Sequence, residues 1–274
     1  MSSEGVYLRN RSRDRVRNVS GKVFALASQM KSPNFFCGTS GLVLPVPNKQ
    51  AFPPEYRAGT RLTYYASIFN SLEVNSSFYK IPQPKTLARW TEEVSPGFRF
   101  TVKLWRGITH QPLLDFKIDD VERFMLAARA LKPNKGCLLI QLPPGAKADQ
   151  APQLELLLDT IRQYAEGWKI AVEFRDRSWY VDATDALLER FHAARVLQDM
   201  PASAIWRETT IASFVYLRYH GPQGDYRGGY SQERLKQDVA SIKKWLSEGK
   251  EVYVYFNNTI GNALPDARYL ADQL

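Results

Sequence analysis

The sequence predicts an α/β fold, a TIM (β/α)8 barrel in a single domain. Three observations lead there. From residue 35 onward, short apolar β-prone runs alternate with amphipathic helical segments. The predicted strands number eight, the count of that barrel. The chain has 274 residues, 44% of them hydrophobic, which suits one large core.

Residues 1–34 stand apart as a basic segment expected to be disordered. Within residues 1–22, Arg9, Arg11, Arg13, Arg15, Arg17 and Lys22 face only Glu4 and Asp14, and no apolar period runs through them. The barrel is expected over 35–274. Phe35–Thr39 reads as the first strand, ended by Ser40-Gly41, and a loop carrying Pro45, Pro47, Pro53 and Pro54 follows. Arg61–Asn70 reads as helix and Ser71–Phe78 as the second strand. Thr86–Val94 is helical and Phe98–Leu104 is the third strand. Asp119–Leu131 is an amphipathic helix, and Cys137–Leu142 is the fourth strand, closed by Pro143-Pro144. Gln153–Ala165 places Leu154, Leu157, Leu158 and Ile161 on one helical face. Lys169–Phe174 is the fifth strand and Ala183–Ala193 a helix. Arg195–Asp199 is the sixth strand, followed by a short, poorly helical crossover. Phe214–Tyr219, the helix Gln232–Ser247, Glu251–Phe256 and a closing helix Pro265–Leu274 complete the count.

Side chains alternate across a strand, so the polar residues on these strands can be sorted by face. With Leu72 and Val74 turned toward the helices, Glu73 and Asn75 point inward. The same parity turns Thr101 and Lys103, then Gln141, then Glu173 and Arg175 inward. Val196 outward leaves Asp199 on the inner parity. Tyr216, Arg218 and His220 point inward on the seventh strand, and Tyr253, Tyr255 and Asn257 on the eighth. Such a set could be a satisfied ion-pair plug. Polar groups on seven strands, mostly near the carboxyl ends, favour a ligand site, because barrel interiors are normally filled by apolar layers.

The residue types suggest chemistry. Glu73 and Glu173 can act as acid and base or, with Asp199, hold a divalent Mg²⁺ or Mn²⁺. Lys103, Arg175 and Arg218 suit phosphate or carboxylate groups. His220 is a candidate acid, and Asn75 and Asn257 are candidate orienting groups. Gln141, Tyr255 and His110, just past the third strand, join the binding set, and Trp179 in the RDRSWY loop is a candidate stacking surface. The catalytic set is therefore expected to be Glu73, Glu173, His220 and Lys103. The formal charge of +9, of which residues 1–22 carry a surplus of +4, points to an anionic partner.

Several classes are excluded or disfavoured. No HExxH or CxxC spacing occurs and there are only three histidines, so a histidine-rich zinc cluster is not expected. No GxGxxG or P-loop is present, so no nucleotide cofactor is expected. Cys37 and Cys137 read as buried free thiols. No apolar run is long enough to span a membrane, and the chain is expected to be cytoplasmic.

GTSG (38–41), EVNSSFY (73–79), FTVKLWRGITH (100–110), QLPP (141–144), EFRDRSW (173–179), YLRYHG (216–221) and YFNNTIGNA (255–263) resemble, in that order, the domain-of-unknown-function 72 family, the YecE-like proteins. The resemblance covers about residues 35–274 and implies a TIM barrel, but it supplies no activity. A suggested likeness of that family's site to endonuclease IV-type barrels implies nucleic acid as a ligand, by analogy. Two positions depart from the pattern: Leu42-Val43-Leu44 stand where aromatics are usual, and Asp176 stands where many members carry His.

The residues support a phosphoester-acting enzyme on nucleic acid as the leading reading. The alternatives are an isomerase, lyase or hydrolase acting on a small sugar or sugar phosphate, and a binding protein without chemistry. The partner in each case is anionic, either nucleic acid or a phosphorylated small molecule.

Overall fold

The computed structural model of the chain describes residues 32–204 and 212–274. The basic segment expected over residues 1–34 lies outside the described residues up to residue 31, as does the part of the sixth crossover that falls on residues 205–211. The described residues form an α/β fold of parallel strands and helices. Among them, no helix is long and apolar enough to cross a membrane.

The strands are β1 (Phe35–Thr39), β2 (Ser71–Val74), β3 (Arg99–Lys103), β4 (Lys135–Gln141), β5 (Lys169–Glu173), β6 (Ala194–Arg195), β7 (Leu197–Gln198), β8 (Phe214–Tyr219) and β9 (Glu251–Phe256). They make two parallel sheets, one ordered β1-β9-β8-β7 and the other β2-β3-β4-β5-β6. The helices of eight or more residues are α1 (Pro84–Glu92), α2 (Ile118–Ala128), α3 (Ala151–Arg162), α4 (Asp182–Arg190), α5 (Gln232–Ser247) and α6 (Ala263–Gln273). On α3, Leu154, Leu157, Leu158 and Ile161 are all buried, the face their spacing predicts. Ser231 caps α5, its side chain accepting from the Arg234 amide.

Two apolar layers flank the strands. Leu72, Val74, Val102, Ile140, Val172, Leu217 and Val254 pack with helix residues such as Leu87, Phe124, Leu157 and Ile242. Phe36, Cys137, Leu139, Ala171, Ala194, Val196, Tyr216, Tyr253 and Tyr255 form a separate cluster on the opposite faces. The predicted parity holds for the second to fifth and the last two strands. The sixth differs. Val196 belongs to the inner cluster, whereas Leu197 packs with the helix-side core. Ala194 and Val196 face inward and Ala193 and Leu197 outward, so the alternation is unbroken but opposite to the one expected, and Asp199 meets His220 from the segment after β7.

Three elements are shorter than their composition suggests. The second strand stops at Val74, not Phe78, and residues Ser76–Tyr79 make a helical turn. The Ser77 hydroxyl donates to the Val74 carbonyl at 2.7 Å, an option that a serine offers and that competes with ladder pairing. The helix expected over Arg61–Asn70 is regular only over Arg61–Tyr65. The helix expected over Asp119–Leu131 gives way to 3-10 geometry at Arg129, ahead of Pro133.

The junctions between the two sheets have physical causes. Between β1 and β2 the backbones meet only at the Ser40–Glu73 bridge. Elsewhere side chains stand in for the ladder. The Asn70 side chain donates to the Phe35 carbonyl at 2.7 Å and accepts from the Cys37 amide at 2.9 Å. The Tyr65 hydroxyl accepts from the Thr39 amide at 2.7 Å and donates to the Ser71 carbonyl at 3.0 Å. At the other junction one extended stretch serves both sheets: Ala194–Arg195 pairs with β5 and Leu197–Gln198 with β8.

Gly38 sits where this first junction is tightest. A Cβ there would lie 2.0 Å from the Ser71 carbonyl oxygen and 2.6 Å from the Tyr65 hydroxyl. Gly38→Ala should therefore destabilise the protein by roughly 1–3 kcal/mol through overpacking. A lower urea midpoint checks it; an unchanged midpoint shows that the two backbones are free to separate.

Candidate functional site

The carboxyl ends of β2, β3, β5 and β8 bring their inward polar residues together. Glu73 is the penultimate residue of β2 and Arg218 that of β8, while Lys103 and Glu173 end β3 and β5. Glu73, Glu173, His220 and Arg218 are all buried to within 1% of full exclusion from solvent.

Arg218 is the hub. Its Nε donates to Glu73 Oε2 at 2.9 Å and its Nη2 to Glu73 Oε1 at 2.6 Å, a two-point fork. Its Nη1 donates to Glu173 Oε2 at 2.6 Å. The remaining contacts of Glu73 come from the Tyr216 hydroxyl, 2.6 Å from Oε2, and the Ser40 hydroxyl on Oε1. Asn75 Nδ2 in turn donates to Ser40 at 2.8 Å. Arg175 pairs through Nε with Glu173 Oε1 and places Nη2 2.9 Å from His220 Nε2.

Burial, the largest influence on both carboxyls, would raise them. For Glu73 the charge and hydrogen bonds of Arg218, with Ser40 and Tyr216, bring the group below the usual carboxylate range. For Glu173 the charges of Arg175 and Arg218 do the same. Burial pushes the His220 imidazole down. The surrounding donors agree. His220 Nε2 faces Arg218 Nη1 at 3.2 Å and Arg175 Nη2, and a guanidinium only donates. Nε2 must therefore accept, which leaves a neutral ring with its proton on Nδ1, 3.3 Å from Asp199 Oδ1. Asp199 also accepts from the His220 amide at 2.7 Å and from the Tyr230 hydroxyl.

Lys103 is different. It is 9% exposed, and its Nζ lies 3.9 Å from the centre of the Phe78 ring. Among the described residues no carboxylate lies within ion-pair distance of it. Burial, and then the charge of Arg218, lower its ammonium to about 8, against the opposing pull of Glu173 and Glu73. His110 packs edge-on against the same Phe78 ring, centroids 5.0 Å apart. Burial, then the charges of Lys103, Arg106 and Arg175, push His110 down to about 4. Lys103, Arg106 and Arg175 thus gather around a neutral His110.

The other expected site residues are placed as follows. Gln141 is nearly buried and donates to the Leu142 carbonyl at 2.7 Å. Asn257 follows β9, partly exposed, its backbone amide donating to the Tyr219 carbonyl. Tyr255 lies deeper, its hydroxyl between Ser71 and Thr101, away from the ion cluster. Trp179 is fully buried, stacked on Phe174 at 4.7 Å with Nε1 on the Ala146 carbonyl, so it offers no stacking surface to a ligand. Glu73, Glu173 and Asp199, the set expected to hold Mg²⁺ or Mn²⁺, are engaged in hydrogen bonds and ion pairs. Their oxygens are taken by Arg218, Arg175, His220 and Tyr230, and among the described residues no group of three or more His, Cys, Asp or Glu could hold a metal ion.

Four contributors were not in the expected set. Ser40 and Tyr216 bond Glu73, Phe78 lies under Lys103, and Tyr230 holds Asp199. Ser40 follows a strand end and Tyr216 shares the parity of Arg218, so both carried a signal. Phe78 and Tyr230 stand among the aromatics that follow the strand ends, a pattern that suggests stacking surfaces, whereas here Phe78 meets Lys103 and the Tyr230 hydroxyl meets Asp199.

An α/β protein with a buried carboxylate–guanidinium cluster at its strand ends is thus defined. The chain matches the family described as "Protein of unknown function DUF72" over residues 36–274, and it belongs to that family. It is 34% identical over 102 residues to the UPF0759 protein YecE of Escherichia coli, a match spanning 37% of this chain and 38% of that one. It is 24% identical over 245 residues to the UPF0759 protein YunF of Bacillus subtilis, covering 78% of this chain and 86% of YunF. Among solved structures it resembles a DUF72 family protein of Thermotoga maritima, with a TM-score of 0.71 at 24% identity over 87% of this chain and 98% of the other. A DUF72 family protein of Enterococcus faecalis gives a TM-score of 0.67 at 21% identity, covering 87% and 93%. These structural likenesses concern the fold.

Replacing Arg218 with Met should leave Glu73 buried without its ion-pair partner and Glu173 with Arg175 alone, and cost about 3–5 kcal/mol at neutral pH. The pH dependence should also reverse. In the parent, both carboxyls titrate below their unfolded value of about 4.3, so their contribution is complete above that pH and fades only on acidification. Without Arg218, burial raises Glu73 while Arg175 still holds Glu173 down, so the Glu73 contribution makes the variant gain stability as pH falls from about 7 toward 5. Urea midpoints at the two pH values test this; a variant midpoint that stays level or falls refutes it.

Proposed function

We propose that the chain is a (β/α)8-barrel enzyme acting on a small anionic substrate, of the sugar phosphate class, at the carboxyl ends of its strands. The barrel reading is supported by the strand order, sequential within each sheet, by the Ser40–Glu73 bridge at one junction and by the shared stretch Ala194–Gln198 at the other. The reaction class is that of an isomerase, lyase or hydrolase without a resident metal.

The observation that carries the substrate class is the pair of cations Lys103 and Arg106 beside neutral His110, next to a cluster in which Arg218 and Arg175 balance Glu73 and Glu173. The glutamates are already paired, so an incoming anion meets net positive charge and needs no counterion of its own. A phosphate on Arg106 and Arg175 leaves the rest of a small molecule over Lys103 and His110. Neutral His110 is a group that can take up or release a proton on a bound substrate.

The second reading is a phosphoester-acting or nucleic-acid-binding protein. The net charge of +9 favours it. Its metal-assisted form lacks a free carboxylate set.

Calorimetric titration with phosphorylated and unphosphorylated trioses, pentoses and hexoses, beside DNA and RNA oligonucleotides, separates the two. Saturable binding of a phosphorylated sugar is expected, with a shallow salt dependence. Arg106 is exposed, so Arg106→Ala should weaken that binding about tenfold without unfolding the chain. Oligonucleotide binding that falls steeply with salt, with no sugar phosphate saturating, transfers support to the second reading.

A further inference from the structure

Lys103 has the geometry of a reactive amine, not of a structural cation. It ends β3 with its Nζ on the face of Phe78 and only 9% of its surface exposed. Every other cation of the cluster is tied to a carboxylate: Arg218 to Glu73 and Glu173, Arg175 to Glu173. Lys103 shares none of these oxygens. A buried ammonium without a carboxylate partner is costly, whereas a neutral amine in the same place is not. The nearby guanidiniums act in the same sense as burial, disfavouring a further positive charge.

An apolar surface beneath a lysine and a second cation beside it are two devices by which proteins make an amine nucleophilic. Both are present. His110, neutral and against the same aromatic ring, is placed to move protons.

We propose that Lys103 forms a protonated imine with a carbonyl substrate, an aldehyde or ketone of the phosphorylated sugar class. This rests on the small-anion reading above and deepens it. The neutral amine adds to the carbonyl carbon, making a C–N bond, while the carbonyl π pair goes to oxygen, which takes a proton. The carbinolamine then loses water, and the nitrogen lone pair completes the C=N bond of the iminium ion. Electrons of a neighbouring C–H or C–C bond can flow into that iminium to give an enamine, with the departing proton or carbonyl fragment released. Reprotonation and addition of water return the amine and the product. Nothing is oxidised or reduced over the cycle, so no redox partner is needed.

Borohydride trapping tests the proposal on the full chain. Three probes are used: dihydroxyacetone phosphate, dihydroxyacetone and pyruvate. Each is mixed with the protein, reduced and followed by peptide mass spectrometry. The expected result is a stoichiometric secondary-amine adduct on the peptide containing Lys103, formed at least about tenfold faster than on any other lysine. The adduct should form most readily with dihydroxyacetone phosphate, and its rate should rise with pH to a plateau above about 8. Lys103→Arg should abolish it, and the wild-type peptide map stands even if that variant folds poorly. Adducts scattered over exposed lysines, or none at Lys103 with all three probes, overturn the proposal. Sugar phosphate binding by calorimetry without any adduct refutes the imine alone; absence of both refutes the small-anion reading as well.

Discussion

One guanidinium joins the two sheets at their carboxyl ends. Arg218 rises from β8 in one sheet, and the carboxylates it holds rise from β2 and β5 in the other. Each of these ions left several kcal/mol of hydration behind on burial, so each depends on the others. The geometry meets that requirement closely. Glu73 receives two bonds from Arg218, one from Tyr216 and one from Ser40, and Glu173 divides its oxygens between Arg218 and Arg175. Two carboxylates face two guanidiniums, and the cluster is neutral within itself. The backbone junction between β1 and β2 falls at the same place, since Ser40 and Glu73 are bridged in main chain as well as side chain. Strand-end geometry and charge balance are therefore one constraint.

That balance determines what remains for a ligand. Because the guanidiniums only donate, they fix His220 as a neutral acceptor, with Asp199 and Tyr230 behind it. His220 is committed to the network. Lys103 and His110 are not, and both sit against Phe78, at the edge of the cluster. Burial and the charge of Arg218 lower the Lys103 ammonium, while the Phe78 face beneath it and the more distant glutamates act the other way. Had Lys103 shared an oxygen of Glu173, its ammonium would have been stabilised and the amine less available.

Most of the layout was legible in the sequence because strand parity is a strict geometric rule. Leu72 and Val74 outward forced Glu73 inward, and the same logic placed Lys103, Glu173, Arg218 and His220. It failed where the backbone departs from a continuous strand. Ser77 turned the chain after Val74, so Asn75 serves as a support for Ser40 and not as an inward strand residue. It also failed on the sixth strand, where Val196 faces inward with Ala194, and Asp199 meets His220 from beyond the strand end. Parity also cannot report depth. Tyr255 and Arg218 share an inward face, yet Tyr255 bonds Ser71 and Thr101 in a lower layer. Nor can it report pairing: two glutamates and two arginines on inner faces read equally well as a metal site or as a saturated ion cluster. The pairing shows only in distances between residues far apart in sequence, 145 for Glu73 and Arg218 and 45 for Glu173 and Arg218.

The same reasoning bears on why so polar an interior is stable. The inner faces are not polar throughout. Below the ion cluster lie Phe36, Cys137, Leu139, Ala171, Val196, Tyr216, Tyr253 and Tyr255, packed as an apolar layer. Tyrosines make the transition. Tyr216 belongs to that layer by its ring and to the ion cluster by its hydroxyl on Glu73. Tyr255 tilts against it at 5.3 Å and turns its hydroxyl to Ser71 and Thr101 instead. A phenol is suited to this boundary because its ring contributes buried area while its oxygen still finds a partner. The apolar floor excludes water from beneath the ions, which strengthens every charge interaction above it.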